Sequence, residues 1–131
     1  MSELSSKTRR SLSKSRRLLR HAEFERVYRQ GRRYFASHLT VFFLRRTDRA
    51  GLRFGFTVGK ALGGAVERNR MKRRLREAVR LSGLERAIPA DIVINPRRSL
   101  LETDFAEVRM EIEKALETVE RSCWKQPERR P

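Results

Sequence analysis

The stretch GGAVERNRMKRRLREAVR, residues 63–80, constrains the fold more than any other part of this chain. At helical periodicity Met71, Leu75, Ala78 and Val79 gather on about one third of the wheel, a stripe that must dock against a core. Asn69, Arg73, Arg76 and Arg80 point the opposite way, Arg70 and Lys72 lie on the flanks, and Arg68 falls in the first turn. Like charges at i, i+3 and i+4 repel, and cations near a helix N-terminus oppose its dipole. Only Glu67 and Glu77 offset them. A merely solvated helix alternates its signs. This one gives up stability to concentrate positive charge, and the natural counter-charge is a polyanion.

The rest of the chain supports that reading. Residues 1–80 hold 23 Lys or Arg against 6 Asp or Glu, whereas residues 81–131 hold 9 against 10, so the net charge of +16 belongs to the first two thirds. Such a field concentrates polyanions and speeds their association. Arg outnumbers Lys 26 to 6. The planar guanidinium suits phosphate and base stacking better than an ammonium does, although arginine-rich codon usage produces the same bias.

The single Cys123 excludes an internal disulfide, no Cys/His cluster has zinc-ligand spacing, and His21 and His38 stand apart from any nucleophile or ligand motif. We expect no metal ligands and no organic cofactor in this chain. No apolar run approaches the ~20 residues of a membrane span, and the N-terminus lacks the apolar segment of a secretory signal. MSELSSKTRRSLSKSRRLLR has the look of a transit peptide yet contains Glu3, and reads equally well as a basic arm. The default expectation is a cytoplasmic protein that does not engage membranes.

The pattern predicts one domain with tails: a disordered basic arm over 1–17, a folded domain over 18–121 and a tail over 122–131. LLRHAEFERVYRQG reads as a short amphipathic helix with Phe24, Val27 and Tyr28 on one face and Gly31 at its C′ position. HLTVFFLRR and RFGFTVGK read as strands paired antiparallel across the short turn RTDRAG. The basic helix follows, from about Ala65 to Leu81 and ending near Gly83; ADIVINP is a third strand. Ser99 and Thr103 both offer cap chemistry for a last helix with Phe105, Val108, Ile112, Leu116 and Val119 on one stripe. The order αββαβα with a small sheet points to an α+β two-layer sandwich.

Strand alternation separates two faces of the sheet. Leu39, Val41 and Phe43 join Phe54, Phe56 and Val58 on a face that must be core. Thr40, Phe42 and Leu44 lie beside Gly55, Thr57 and Gly59 on the other, which leaves room next to Arg53 and Lys60 for an extended single strand. Two readings of Phe24 and Tyr28 remain open. The first helix packs them there as ordinary core, or it covers half the face and leaves a groove along its edge.

GFTVGKALGGAVERNRMKRRLREAVR closely resembles the signature of the bacterial ribonuclease P protein family, with Arg68-Asn69-Arg70 followed by Lys72, Arg73 and Arg76. FERVYRQGRR and LTVFFL resemble the family's first helix and strand, and DIVINPRRS its closing strand, so the likeness spans about residues 16–120. Gly64 stands where many relatives have Asn, and Gly59 where many have Ser.

The resemblance implies a non-catalytic subunit that binds a large catalytic RNA and, with it, removes the 5′ leader from precursor tRNA by endonucleolytic cleavage. It implies Mg²⁺ held mainly by the RNA, no catalytic residue in the protein and no obligate protein partner. It also implies that the basic helix lies in a mixed sheet's βαβ crossover of left-handed sense, against the general right-handed rule. Phe24, Tyr28 and Phe42 would line a leader-binding cleft with Thr57. Lys60 and Arg53 beside it, and Arg68, Asn69, Arg70, Lys72, Arg73, Arg76 and Arg80 on the helix, would contact RNA.

Three other classes compete, the slightest being membrane-surface binding through the basic arm. A non-enzymatic RNA-binding protein of ribosomal or chaperone type explains the charge but not the aromatic face. A metal-dependent nuclease needs paired carboxylates, and Asp48, Asp91 and Asp104 occur singly.

Overall fold

The structure, a computed structural model, describes residues 20–47, 51–82 and 88–125. The expected arm over 1–17, Asp48, Gly83 and the last residues of the expected tail lie outside the described residues. Helix α1 spans His21–Gln30 and β1 Arg32–Phe35; β2 spans Leu39–Arg45 and β3 Arg53–Phe56. A 3-10 turn at Lys60–Leu62 leads into α2, Ala65–Ser82. Strand β4 covers Ala90–Pro96, and a second 3-10 turn at Arg98–Leu101 precedes α3, Phe105–Lys125.

The four strands form one mixed sheet in the order β1-β2-β4-β3. This α+β arrangement carries the expected basic helix in the crossover from β3 to β4, which run parallel. Two expectations need correction. A strand, β1, precedes the first expected strand and pairs antiparallel with β2. The strands β2 and β3 do not pair as a hairpin, because β4 lies between them, antiparallel to β2 and parallel to β3. The physical reason is burial. Six of the seven residues of β4 are buried, so this strand is apolar on both faces and belongs in the centre.

The main core lies on one face. Leu39, Val41 and Phe43 from β2, Phe54 from β3, and Ile92 and Ile94 from β4 meet Met71, Leu75, Ala78 and Val79 from α2. Val108, Ile112, Leu116 and Val119 of α3 complete it. Both amphipathic stripes therefore dock as their spacing predicts. The buried thiol of Cys123 closes the far end of α3, and burial pushes its pKa up.

On the other face a smaller cluster joins Val27 of α1 to Val93, with Phe24, Phe42 and Leu44 packed against it. The sheet thus carries α2 and α3 as one layer and α1 as a partial cover behind. Gly31 ends α1, its amide donating to the Val27 carbonyl, and with φ at −87° it needs no left-handed turn. It is needed for a close approach instead. A Cβ there would stand 2.4 Å from the Phe43 carbonyl oxygen and 2.6 Å from that of Val27.

The start of α3 also differs from expectation. Its first backbone hydrogen bonds run from the Glu107 and Val108 amides to the Asp104 carbonyl, and the Ser99 hydroxyl pairs with His38 instead of capping this helix. The expected tail begins too early, because Ser122 to Lys125 continue α3.

Candidate nucleic-acid interface

Strand register builds the floor of a groove. Arg33, Phe42, Val93 and Gly55 form one row across the face that α1 partly covers. Phe35, Thr40 and Asn95 form the next, extended by Thr57, whose amide donates to the Ile94 carbonyl. Helix α1 lies over the first row at its β3 end. A Cβ on Gly55 would meet the Phe24 ring at 2.5 Å, so only glycine lets the helix approach this closely. Phe24 is therefore largely a packing residue. Phe24 thus packs against the sheet, whereas Tyr28 stays at the edge of the face that α1 partly covers.

Tyr28 stays 37% exposed and meets Phe42 edge to face, with ring centroids 4.8 Å apart. Such a pair is more favourable than its buried area alone implies. The Tyr28 hydroxyl lies 2.7 Å from Thr57 Oγ1 and donates to Asn95 Oδ1 at 3.1 Å. These bonds fix the ring on the groove's edge. On the opposite rim Phe35 is 62% exposed, and the Arg33 guanidinium sits 5.6 Å from its ring and 5.8 Å from that of Phe42. Aromatic rings and a guanidinium grouped in this way are the side chains on which bases of any sequence can stack.

One end of the groove is closed by a buried charge cluster. Asp91 is fully buried in β4 and accepts from Arg53 Nε at 2.8 Å and from Arg53 NH2 at 2.9 Å. Arg46 NH1 donates to the same carboxylate at 2.8 Å, and Arg53 NH1 also reaches Glu23 on α1 at 3.1 Å. The hydrogen bond to Asp91 holds the Arg53 pKa above its ordinary value. Arg53 thus ties α1 to the sheet and presents little free charge to the groove. Asp91 in turn is occupied by two guanidinium groups, which leaves it poorly suited to coordinate a hard cation.

The basic helix divides in the same way. Asn69, Arg70, Arg73 and Arg76 are exposed and Lys72 is half-buried; none of the four cations has a side-chain partner among the described residues. Arg68 donates to the Gly63 carbonyl at 3.1 Å, bracing the loop before the helix. Arg74 donates to the Leu100 carbonyl and Arg80 pairs with Glu77, which raises the Arg80 pKa. Lys60 is exposed in the 3-10 turn after β3. The free ridge is consequently Arg70, Lys72, Arg73 and Arg76, narrower than the wheel suggests.

Sequence reasoning did not single out Arg33, Phe35 or Asn95. The alternation of Arg33 and Phe35 was the available signal, but a four-residue basic edge strand resembles a loop.

Comparison with known proteins gives one answer. The family model described as Ribonuclease P matches residues 12–120. The ribonuclease P protein component of Symbiobacterium thermophilum is 39% identical over 106 residues, covering 81% of this chain and 92% of that one. Its counterpart from Oleidesulfovibrio alaskensis is 41% identical over 90 residues, covering 68% and 72%. The solved structure of the RNase P protein from Thermotoga maritima superposes with a TM-score of 0.71 at 29% identity, covering 79% of this chain and 97% of that one. With its basic ridge, its mixed sheet and these relatives, the chain belongs to the ribonuclease P protein family.

Proposed function

We propose that this chain, as the protein component of ribonuclease P, holds the catalytic RNA on the ridge of α2 and the 5′ leader of precursor tRNA in the groove between α1 and the sheet. The observation that carries this reading is the half-open Tyr28–Phe42 pair beside the exposed Phe35 and Arg33. Aromatic faces left open to water on a sheet are costly unless they bind something. Stacking faces without a dedicated base-edge fork suit leaders of varied sequence.

In this reading the protein contributes position and charge. Arg70, Lys72, Arg73 and Arg76 neutralise phosphates on the RNA, and the groove keeps the leader extended away from the scissile bond. The RNA subunit carries out the cleavage, with Mg²⁺ supplying Lewis-acid chemistry there. The carboxylates beside the groove, Asp91 and Glu23, already pair with arginines, so no step is assigned to metal on them. No helix among the described residues is long and apolar enough to cross a membrane.

The direct test mixes purified protein, cognate catalytic RNA and precursor tRNA at low Mg²⁺. Protein alone should leave the substrate intact, and adding it to the RNA should raise the cleavage rate. Cleavage by protein alone, or no stimulation, contradicts the proposal.

The ridge gives a second expected outcome. Arg73→Ala and Arg76→Ala should each lower the salt dependence of RNA binding by about 0.7 in log–log slope per lost phosphate contact. Arg80→Ala, whose guanidinium is held by Glu77, should change that slope much less. Equal changes in all three variants would mean that the internal pairing of Arg80 does not persist on RNA.

A further inference from the structure

We infer that the junction of the β1–β2 turn with α3 is a divalent transition-metal site, with His38, Glu107 and Glu111 as ligands and Zn²⁺ as the best-matched ion. One donor atom from each lies within 4.8 Å of the other two. Glu107 and Glu111 are one helical turn apart, so their carboxylates share a face of α3, while His38 is brought over by the turn between β1 and β2.

The second observation is an orphaned atom. Glu111 is 7% exposed; its Oε1 accepts the His38 backbone amide at 3.0 Å, but its Oε2 is buried with no hydrogen-bond partner. The nearest cationic candidate is His38 Nε2, at 3.8 Å, beyond hydrogen-bond reach. A buried carboxylate oxygen left this way is unfavourable unless something fills the gap.

The surroundings also orient the imidazole. His38 Nδ1 lies 2.7 Å from the Ser99 hydroxyl. That contact leaves Nε2 as the ring nitrogen turned toward Glu111 Oε2. A divalent ion between the three donors would compensate both Glu107 and Glu111. Ser99 acts as the outer partner that orients a metal-bound imidazole. Arg97, whose guanidinium donates to the carbonyls of Ala36 and Leu39, fixes the turn carrying His38.

One imidazole and two carboxylates favour zinc over Mg²⁺ or Ca²⁺, which prefer oxygen alone. Tetrahedral bonds of ~2.0–2.2 Å put neighbouring ligand atoms ~3.3–3.5 Å apart, so small side-chain movements from the present spacing close the site. Three protein ligands leave a fourth position for water, reached from the half-exposed Glu107 side. The bound ion would staple the Phe35 end of the groove floor to α3.

Untagged full-length protein, stripped with a chelator, should bind one Zn²⁺ per chain in a calorimetric titration, and its Tm should rise with zinc concentration. Co²⁺ should give visible absorption bands of a tetrahedral centre. Glu107→Gln, on the more open side, and His38→Ala should each weaken zinc binding at least tenfold, and Ser99→Ala by about 10- to 100-fold. Circular dichroism checks that each variant is folded, and Glu107→Gln keeps the test decisive if His38→Ala is not. No stoichiometric binding, or binding that survives both ligand substitutions, overturns the site. So does a His38→Ala variant that loses stability while zinc fails to shift the wild-type Tm, which is the behaviour of a protonated His38–Glu111 ion pair.

Discussion

Asp91→Asn should destabilise the fold by about 3–5 kcal/mol, the range for breaking a buried ion pair from one side. The Asp91 side chain is 1% exposed and Arg46 only 8%, and the two guanidinium groups converge on one carboxylate. Asn keeps the shape but removes the charge, leaving both arginines under-compensated in a poorly solvated place. Equilibrium denaturation measures the loss directly, and a domain of this size should lose more than about 10 °C in Tm. Removing all three charges at once, as in Asp91→Leu with Arg46→Met and Arg53→Met, should restore much of the loss, since a buried ion cluster and an apolar replacement are often near equal. A loss below about 1 kcal/mol for Asp91→Asn would mean that water enters the cluster and screens it.

This cluster was not legible in the sequence. Asp91 opens an apolar strand and looks like an isolated carboxylate, whereas its partners Arg46 and Arg53 lie on either side of a turn some 40 residues earlier. Only the insertion of β4 between β2 and β3 brings the three together. The clue was present in another form. ADIVINP lacks the polar alternation of an outer strand, and a strand apolar on both faces belongs in the middle of a sheet. The short connection between β2 and β3 suggested a hairpin and outweighed that clue.

Other features were easier to read. Helical spacing placed Met71, Leu75, Ala78 and Val79 in the core, where all four are buried, and Asn69, Arg73 and Arg76 outside, where all three are exposed; Arg80, expected with them, is half-buried. Spacing could not show that Arg68 and Arg74 would turn back to the Gly63 and Leu100 carbonyls, because those acceptors lie in a loop and a 3-10 turn, whereas the Arg80–Glu77 pair at i, i+3 is the kind that helical spacing allows. Alternation placed Phe42, Gly55 and Thr57 on one face, but it said nothing of the β1 rim where Arg33 and Phe35 extend the platform. The proposed metal ligands were hidden for the same reason as Asp91. Glu107 and Glu111 form an unremarked i, i+4 pair until the fold delivers His38.

The groove makes the second large prediction. Stacking a base on an aromatic ring contributes about 1–3 kcal/mol, so losing the Phe42 face should weaken binding of leader-bearing substrate by about 5- to 150-fold. Phe42 also packs against the Val27–Val93 cluster, and Phe42→Ala would open a cavity as well as remove the ring. Phe42→Leu separates the two effects, because it retains most of the apolar volume and loses only the aromatic face.

The deciding measurement is therefore the affinity of the holoenzyme carrying Phe42→Leu for precursor tRNA and for mature tRNA, taken side by side at one salt concentration. A leader held on the Tyr28–Phe42 platform predicts a marked loss for the precursor and nearly none for the mature tRNA. Equal losses for the two, or no loss for either, would contradict the placement of the leader in this groove.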